Sequence, residues 1–456
     1  MSRDSEGSRG LGRGRGRGLG RRQFLALTGA AGVSSLAGCA DRVLGSNRAT
    51  IDGDALAEVV AGDAPMVPKT VPVDIEASFV DEQRAAAESK LDDVPGPFDE
   101  EQIPNGVIRE RLNGEYDAAR ESVRAVSDAE TPYERLGHAT RARTSAHEVL
   151  TAWRAIESEA TVADLREAQS AVRDQADAFA SRWSYVGDDP VRAAVVHAEI
   201  EREIRGVRNW LSFRERALDH ASRNVLDFAD LAADVERARV DVAVASYLYD
   251  RFRESLAAER NRRERFESTR ETLRDRLGRR SESLPAETDD PTSLVDREMD
   301  ETVGVVALGD LLRDAQWRIE DVDSGDAPHL ASAAVDAAAT FTYVRAFERL
   351  RERIDGGDDV AVGTAEDVAA LRSEAIDAIA AARDAEAGGL VAEATLPQFA
   401  REIRWTDDRF ERSSGAVAVS SIRWDAAKYV VVAETCRAVP TASADVVAVL
   451  RGESDA

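Results

Sequence analysis

A run of apolar residues spaced alternately three and four positions apart is the strongest constraint on the fold of this chain. The run comprises Phe228, Leu231, Val235, Ala238, Val242, Ala245, Tyr249, Phe252 and Leu256. This spacing places every member on one face of an α-helix. A helix of about 30 residues is about 45 Å long, so the run predicts a long helix packed against antiparallel neighbours. Within it, Val242 is predicted to be buried and the adjacent Asp241 to be solvated.

Proline spacing and capping residues extend the helical prediction to most of the chain. Between Pro132 and Pro285 the only proline is Pro190, and strong helix formers dominate this region. Helix starts are predicted where threonine precedes an acid by three positions, at Thr131, Thr161 and Thr364, and at the Asp-Pro pairs 189–190 and 290–291. A second seam comprises Val419, Ile422, Ala426, Tyr429, Ala433 and Cys436.

The predicted fold class is therefore all-α, an elongated antiparallel helical bundle with coiled-coil-like seams. We expect roughly ten to twelve helices, which could form two sub-bundles at residues 105–285 and 290–452. Residues 39–104 are proline-rich and are predicted to be a tether followed by an irregular lead-in. Within the lead-in, the alternation of Val71, Val73 and Ile75 is compatible with a short strand, which Pro72 would confine to a sheet edge.

The first 39 residues contain three ordered features. A basic, glycine-rich segment leads to Arg21-Arg22 and then to Phe24-Leu25. A weakly apolar stretch follows, too short to span a bilayer, for which about 20 residues are needed. The stretch ends in Leu36, Ala37, Gly38 and Cys39.

This arrangement resembles the twin-arginine export signal of haloarchaeal lipoproteins, joined to a lipobox. The resemblance implies that Arg21, Arg22, Phe24 and Leu25 form the export signal, with residues 1–38 as the signal peptide. It also implies a lipobox of Leu36, Ala37 and Gly38, with cleavage before Cys39, whose sulfur carries a lipid. The chain would then be exported and held by that lipid on the outer face of the cell membrane.

The charge balance indicates the solvent and excludes one class of partner. The chain carries 86 acidic and 60 basic side chains, giving a net charge of −26. The only lysines are Lys69, Lys90 and Lys428. Such a composition resembles that of proteins from extreme halophiles, since a Debye length of about 3 Å at molar salt screens carboxylate repulsion. Nucleic acid is not an expected partner, because the phosphate backbone requires cationic patches.

Candidate metal and nucleophile sites are weak. The histidines are His138, His147, His197, His220 and His329. The pairs Glu134/His138 and His197/Glu201 are one helical turn apart and could share an ion, but neither Glu-x-x-His nor His-Glu-x-x-His occurs. Cys436 lies on an apolar seam, as expected of a small buried side chain. We therefore assign no catalytic residue, no metal ligand and no cofactor.

Two surface features leave alternatives open. Residues 259–280 are rich in arginine and could dock on an anionic membrane or a partner, or form solvated Glu–Arg pairs. Trp405 and Trp424 each follow an arginine, Arg404 and Arg423, which could stack on them.

The leading functional hypothesis is a non-enzymatic envelope protein whose helical surface binds a partner protein or organises the cell surface. The alternative is a helical receptor for a small solute or a metal ion, and an enzyme is the least favoured. A polar cavity containing a tryptophan would favour the receptor, whereas an apolar groove of several hundred Å² would favour protein binding.

Overall fold

The computed structural model describes residues 49–62, 64–212, 215–221, 223–324 and 329–453. The predicted export signal, the lipobox and Cys39 lie outside these residues. None of the helices described combines the length and the apolar character that crossing a bilayer requires.

The described residues confirm the all-α bundle. A short 3₁₀-helix spans Pro291–Leu294, at the predicted Asp290-Pro291 start. The described residues form more helices than the ten to twelve predicted, because the shortest helices carry too few turns for a periodic pattern. They are α1 (Gly53–Val60), α2 (Ala77–Asp92), α3 (Gly106–Asp128), α4 (Pro132–Ile156), α5 (Val162–Arg182), α6 (Pro190–Trp210), α7 (Glu215–Ala221), α8 (Val225–Glu254), α9 (Arg263–Ser281), α10 (Val303–Ser324), α11 (Ser332–Asp355), α12 (Ala365–Asp384), α13 (Gly389–Phe410) and α14 (Val419–Arg451).

Short strands join parts of the chain that are distant in sequence. β1 (Thr50–Asp52) pairs antiparallel with β4 (Ala416–Ala418), and β2 (Val186–Gly187) pairs with β3 (Arg260–Asn261). The possible strand at residues 71–75 is wrong, since the structure shows no strand there. Val71, Val73 and Ile75 are nevertheless buried in the core, and Pro72 lacks the N–H that a sheet ladder would need.

The predicted caps form where threonine precedes an acid by three positions. At Thr131, Thr161 and Thr364 the hydroxyl accepts a hydrogen bond from the backbone N–H three residues later, and the acid accepts one from the threonine N–H. These capping boxes satisfy N–H groups that have no partner within the helix. They fix the starts of α4, α5 and α12.

The seam on α8 is confirmed, but the prediction that Asp241 is solvated is wrong. Val242 is 6% exposed, and most of the seam is equally buried, while Leu231 and Leu256 are half-buried. Asp241 is also half-buried, because α4, α5 and α6 all pack on α8 and cover more than the seam face. A single apolar stripe therefore underestimated how much of this central helix is enclosed.

The apolar core is continuous between the two predicted sets of helices. One core cluster includes residues of α6 and α8 together with residues of α11 and α14. A second cluster is built from α10, α12, α13 and most of α14, and a third from α2, α3 and α4. Helix α9 packs against α10, α11 and α14.

Candidate functional site

Two clefts adjoin on α4, one where α4 meets α13 and the lead-in, and the other among α4, α6 and α8. The first, which we call the arginine cleft, has a volume of about 320 Å³. The second, the α8 cleft, measures about 300 Å³. Both are lined by Tyr133, Gly137 and Arg141 of α4, so they meet along one helix face. The arginine cleft also takes Met66, Lys69, Glu134, His138, Arg401, Arg404 and Trp405, and the α8 cleft takes Thr140, Thr144, Arg202, Glu203, Trp210, Arg237 and Asp241.

The lead-in reaches the arginine cleft because hydrogen bonds hold it against the start of α4. The Thr131 hydroxyl donates to the carbonyl of Lys69 at 2.9 Å, and the Lys69 N–H donates to the Glu134 carboxylate at 3.3 Å. Glu134 also accepts from the N–H of Thr131 in the capping box. The predicted Glu134/His138 pair thus lies on the cleft wall, but the Glu134 carboxylate is occupied by backbone donors.

Lys69 does not contribute a free charge to the cleft. Its ammonium lies 2.9 Å and 3.1 Å from the two oxygens of Glu199, a buried carboxylate that also contacts Tyr133 and Arg202. Burial raises the pKa of Glu199 to about 7, while the charge of Lys69 opposes that shift. The polar floor beneath the arginine cleft is therefore a closed set of mutual partners.

The arginines on the rim of the arginine cleft, unlike Lys69, have no carboxylate partner among the described residues. Arg141, Arg401 and Arg404 are exposed, and none of the three forms an ion pair with a carboxylate in the part of the chain that the structure describes. The Arg404 guanidinium contacts the sulfur of Met66 at 2.6 Å, and that of Arg141 lies 3.5 Å from His138 Nδ1. Burial, and then the charge of Arg141, lowers the pKa of His138, which favours the neutral form of its imidazole ring.

Apolar surface accompanies these cations. Trp405 is 61% exposed and Met66 is 51% exposed, and both line the arginine cleft. The sequence left open that Arg404 stacks on Trp405, but in the structure the Arg404 guanidinium contacts the sulfur of Met66. A cationic, partly aromatic depression is unusual in a chain with a net charge of −26. Its chemistry suits an anion with some apolar surface.

The α8 cleft is built around a carboxylate that reaches across to α6. A Cβ on Gly206 would lie 2.6 Å from Asp241 Oδ2, so only glycine allows this approach. The Trp210 side chain hydrogen-bonds to Asp241, and the Arg237 guanidinium lies 5.0 Å from the centre of the Trp210 ring. Burial, and then the charge of Glu203, raises the pKa of Asp241 well above its usual range.

The second pair that the spacing allowed to share a metal ion, His197/Glu201, instead contacts separate partners within the protein. His197 Nδ1 accepts from the Trp183 indole at 3.1 Å, and Nε2 lies 2.9 Å from the carbonyl oxygen of Val186. Glu201 accepts from the Tyr185 hydroxyl at 2.6 Å and from the first N–H groups of α11. Among the described residues no group of three or more His, Cys, Asp or Glu side chains could hold a metal ion.

The remaining residues singled out in the sequence are either buried or paired with other side chains of the protein. Cys436 is fully buried, and burial raises the pKa of its thiol to about 12. Arg423 pairs with Glu301 at 3.0 Å. In the basic segment, Arg263 pairs with Glu267 at 3.6 Å and Arg280 with Glu348 at 2.9 Å.

The cleft residues escaped sequence reasoning because their positions are far apart along the chain. Arg141 on α4 and Arg401 on α13 lie far apart in the sequence, and no local sequence pattern distinguishes either residue. The usable signals were the Glu134/His138 pair and the adjacent pair Arg404-Trp405, which both line the arginine cleft.

Comparison with known proteins identifies two consecutive families. Residues 78–259 match the family described as Domain of unknown function (DUF8262), and residues 263–448 match Domain of unknown function (DUF8264). No curated protein and no solved structure matches the chain. The two matched regions meet just before α9, whereas the sequence predicts a division at residues 285–290. The arginine cleft joins α4 of the first region to α13 of the second, and the α8 cleft lies within the first region among α4, α6 and α8.

Proposed function

We propose that this chain is an exported, lipid-anchored binding protein that captures a small anionic solute in the arginine cleft. The observation that carries the proposal is the convergence of Arg141, Arg401 and Arg404 on one depression without carboxylate partners among the described residues. Guanidinium groups form strong, charge-assisted hydrogen bonds to carboxylate and phosphate. An acidic chain leaves such cations unmatched where a ligand supplies the negative charge.

The position of the cleft supports the same role. Ligand sites favour the junction between domains, and a volume near 300 Å³ is at the lower end of the usual range for small-molecule sites. Here the junction is between the two matched families, with α4 on one side and α13 on the other. Trp405 and Met66 would cover the apolar part of the ligand.

Docking of a partner protein on an apolar face has less support. Among the described residues, the large apolar side chains that are at least half exposed are Met66, Val107, Trp317, Trp405 and Trp424. Apart from Met66 and Trp405, which share the arginine cleft, they lie on separate helices. Scattered apolar residues do not make the contiguous patch that a protein interface requires.

The binding test is isothermal titration calorimetry on the full-length chain in detergent, at molar sodium chloride. The probes are acetate, succinate, inorganic phosphate and glucuronate. At least one anion should bind at one site, and Arg401→Gln combined with Arg404→Gln should weaken it tenfold or more, since a hydrogen bond to a charged group contributes about 1.5 to 3 kcal/mol.

The matched control replaces two exposed arginines outside the cleft, Arg383 and Arg412, with glutamine. This control should bind the anion as the unmodified chain does. Absence of binding by every probe, or equal loss in the control, would overturn the assignment of the arginine cleft.

The anchoring part of the proposal has its own test. Cys39→Ser should release the chain from the membrane or leave the signal peptide attached. Arg21→Lys with Arg22→Lys should retain the precursor inside the cell. Membrane retention of a mature-sized Cys39→Ser chain would contradict lipid anchoring, and normal export of the double-lysine variant would contradict the twin-arginine route.

A further inference from the structure

We infer that the α8 cleft is a second subsite that binds hydroxyl groups of the same ligand, so that the ligand is a polyhydroxylated anion such as an acidic sugar. The inference rests on the proposed anion-binding function of the arginine cleft. It adds the chemistry of the ligand body, which the arginines alone do not define.

The two clefts are contiguous. Tyr133, Gly137 and Arg141 line both, and a Cβ on Gly137 would meet no atom within 4 Å. The absence of a side chain at this position keeps the passage between the clefts open. A ligand whose anionic group is held by Arg141 can therefore extend its other end toward α8.

Most charged groups of the α8 cleft already have contacts within the protein. Arg202 donates to Glu203 at 3.1 Å, the Arg237 guanidinium lies over the Trp210 ring, and Asp241 receives the Trp210 hydrogen bond. Arg141, which lines both clefts, is the arginine assigned to the anionic group of the ligand. The α8 cleft therefore favours neutral polar groups over a second charged group.

The groups that remain available suit hydroxyls. An ionised carboxylate offers about four lone-pair positions, and a protonated carboxyl keeps part of that capacity beside its O–H donor. The described partners of Glu203 and Asp241 therefore leave hydrogen-bonding positions for ligand hydroxyls. The hydroxyls of Thr140 and Thr144 donate to the carbonyls of Gly137 and Thr140, at 3.2 Å and 3.1 Å, so their lone pairs can accept. Together these side chains present several acceptors within one cleft.

The cleft also offers apolar contact for the C–H face of a sugar ring. Trp210 lines it, together with Leu136, Val240 and Val244. Acceptors around an aromatic and aliphatic wall match a body that carries alternating hydroxyl and C–H groups. With the anionic group at the arginine cleft, this combination describes a uronic acid or a similar sugar acid.

The test compares glucuronate, acetate and glucose by calorimetry on the full-length chain. Glucuronate should bind at least tenfold more tightly than acetate, and glucose should bind more weakly than glucuronate by at least the same factor. Asp241→Leu and, separately, Thr140→Phe should reduce glucuronate binding at least tenfold while leaving acetate binding unchanged. Asp230→Leu, an exposed change on α8 outside the clefts, is the control and should bind like the unmodified chain.

The outcomes separate this inference from the function on which it rests. If acetate and glucuronate bind equally, the α8 subsite is wrong and the anion site stands. If neither binds but phosphate or succinate does, the α8 subsite is wrong and the anion site stands. If no anion binds, the proposed function fails and the inference fails with it. A glucuronate preference that survives both substitutions would also overturn the α8 subsite. Thermal melts show which variants fold, and Thr140→Phe decides the question if Asp241→Leu does not.

Discussion

Helix α6 carries two groups of polar side chains with different environments. His197 and Glu201 are fully buried, and each ring nitrogen and each carboxylate oxygen has a partner within the protein. Arg202 and Glu203, one and two residues beyond Glu201, instead line an open cleft. Arg202 pairs with Glu203 at 3.1 Å, but both side chains border open space and keep part of their hydrogen-bonding capacity for a ligand, whereas the buried groups are fully satisfied within the protein.

The buried group also joins the two matched families. Glu201 lies in the first region and accepts from the N–H groups of Ala331 and Ser332 at the start of α11, at 3.0 Å and 2.7 Å. A carboxylate in this position satisfies N–H groups without helical partners and interacts favourably with the helix dipole. The arginine cleft opens at the same junction, between α4 and α13.

The largest expected effect concerns the core of the helix that faces these clefts. Val242→Asp should lower the free energy of unfolding by about 4 kcal/mol, because it buries a charge without a partner. Chemical denaturation followed by circular dichroism measures the change. Val107→Asp, at an exposed position of α3, is the control and should cost less than about 0.5 kcal/mol. Equal costs at the two positions would mean that the α8 seam is not a core face.

Removal of the carboxylate that links the two regions should be the next largest effect. Glu201→Leu removes the carboxylate that accepts from the Tyr185 hydroxyl and from the N–H groups of Ala331 and Ser332. Each unsatisfied buried group costs about 1 to 3 kcal/mol, so we expect a loss of about 3 kcal/mol. Glu167→Leu on the exposed face of α5 is the matched control and should be nearly neutral. A neutral Glu201→Leu would show that the junction does not depend on this contact.

A smaller, pH-dependent effect should distinguish the cleft from the buried group. The pKa of Asp241 is raised in the folded state. At a pH above the ordinary pKa of an aspartate, the folded chain therefore keeps a proton on Asp241 that the unfolded chain releases. Stability from this group therefore falls as the pH rises from about 4 toward the raised pKa. Asp241→Asn removes this titration, so its stability relative to the unmodified chain should be greater at pH 8 than at pH 5, by about 1 kcal/mol.

Thermal melts at the two pH values measure the difference. Asp117→Asn, an exposed change on α3, should leave the pH dependence unaltered. If the stability of Asp241→Asn and of the unmodified chain depended on pH in the same way, Asp241 would be ionised and solvated, and the solvation predicted from the sequence would be correct.

These contrasts explain what the sequence could predict. The α8 seam and the three capping boxes depend on residues three or four apart, so they are visible in one stretch of sequence. The half-burial of Asp241 depends on Gly206 of another helix, and the arginine cleft depends on α4, α13 and the lead-in. Neither contact has a local pattern. The His197/Glu201 spacing was visible, but the partners that make it structural lie elsewhere in the chain.

The smallest expected effects come from Gly137, which lines the α8 cleft, and from Gly206, which lies against Asp241 of that cleft. Gly137 lies in the interior of α4 with no atom within 4 Å of an added Cβ. Gly137→Ala should therefore stabilise the fold by about 0.5 to 1 kcal/mol, the usual gain in a helix interior. Gly206 occupies a similar position in α6, but its Cβ would lie 2.6 Å from Asp241 Oδ2.

Gly206→Ala should gain the same helix propensity and lose the Asp241 contact, so its net effect should be close to zero or unfavourable. It should also bring the pKa of Asp241 closer to its ordinary value, because the displaced carboxylate moves toward solvent. Thermal melts of both variants at pH 5 and pH 8 measure these effects. Equal stabilisation by the two alanines, with an unchanged pH profile for Gly206→Ala, would mean that Asp241 does not approach α6 in solution. The α8 cleft would then lack the carboxylate on which its proposed hydroxyl recognition depends.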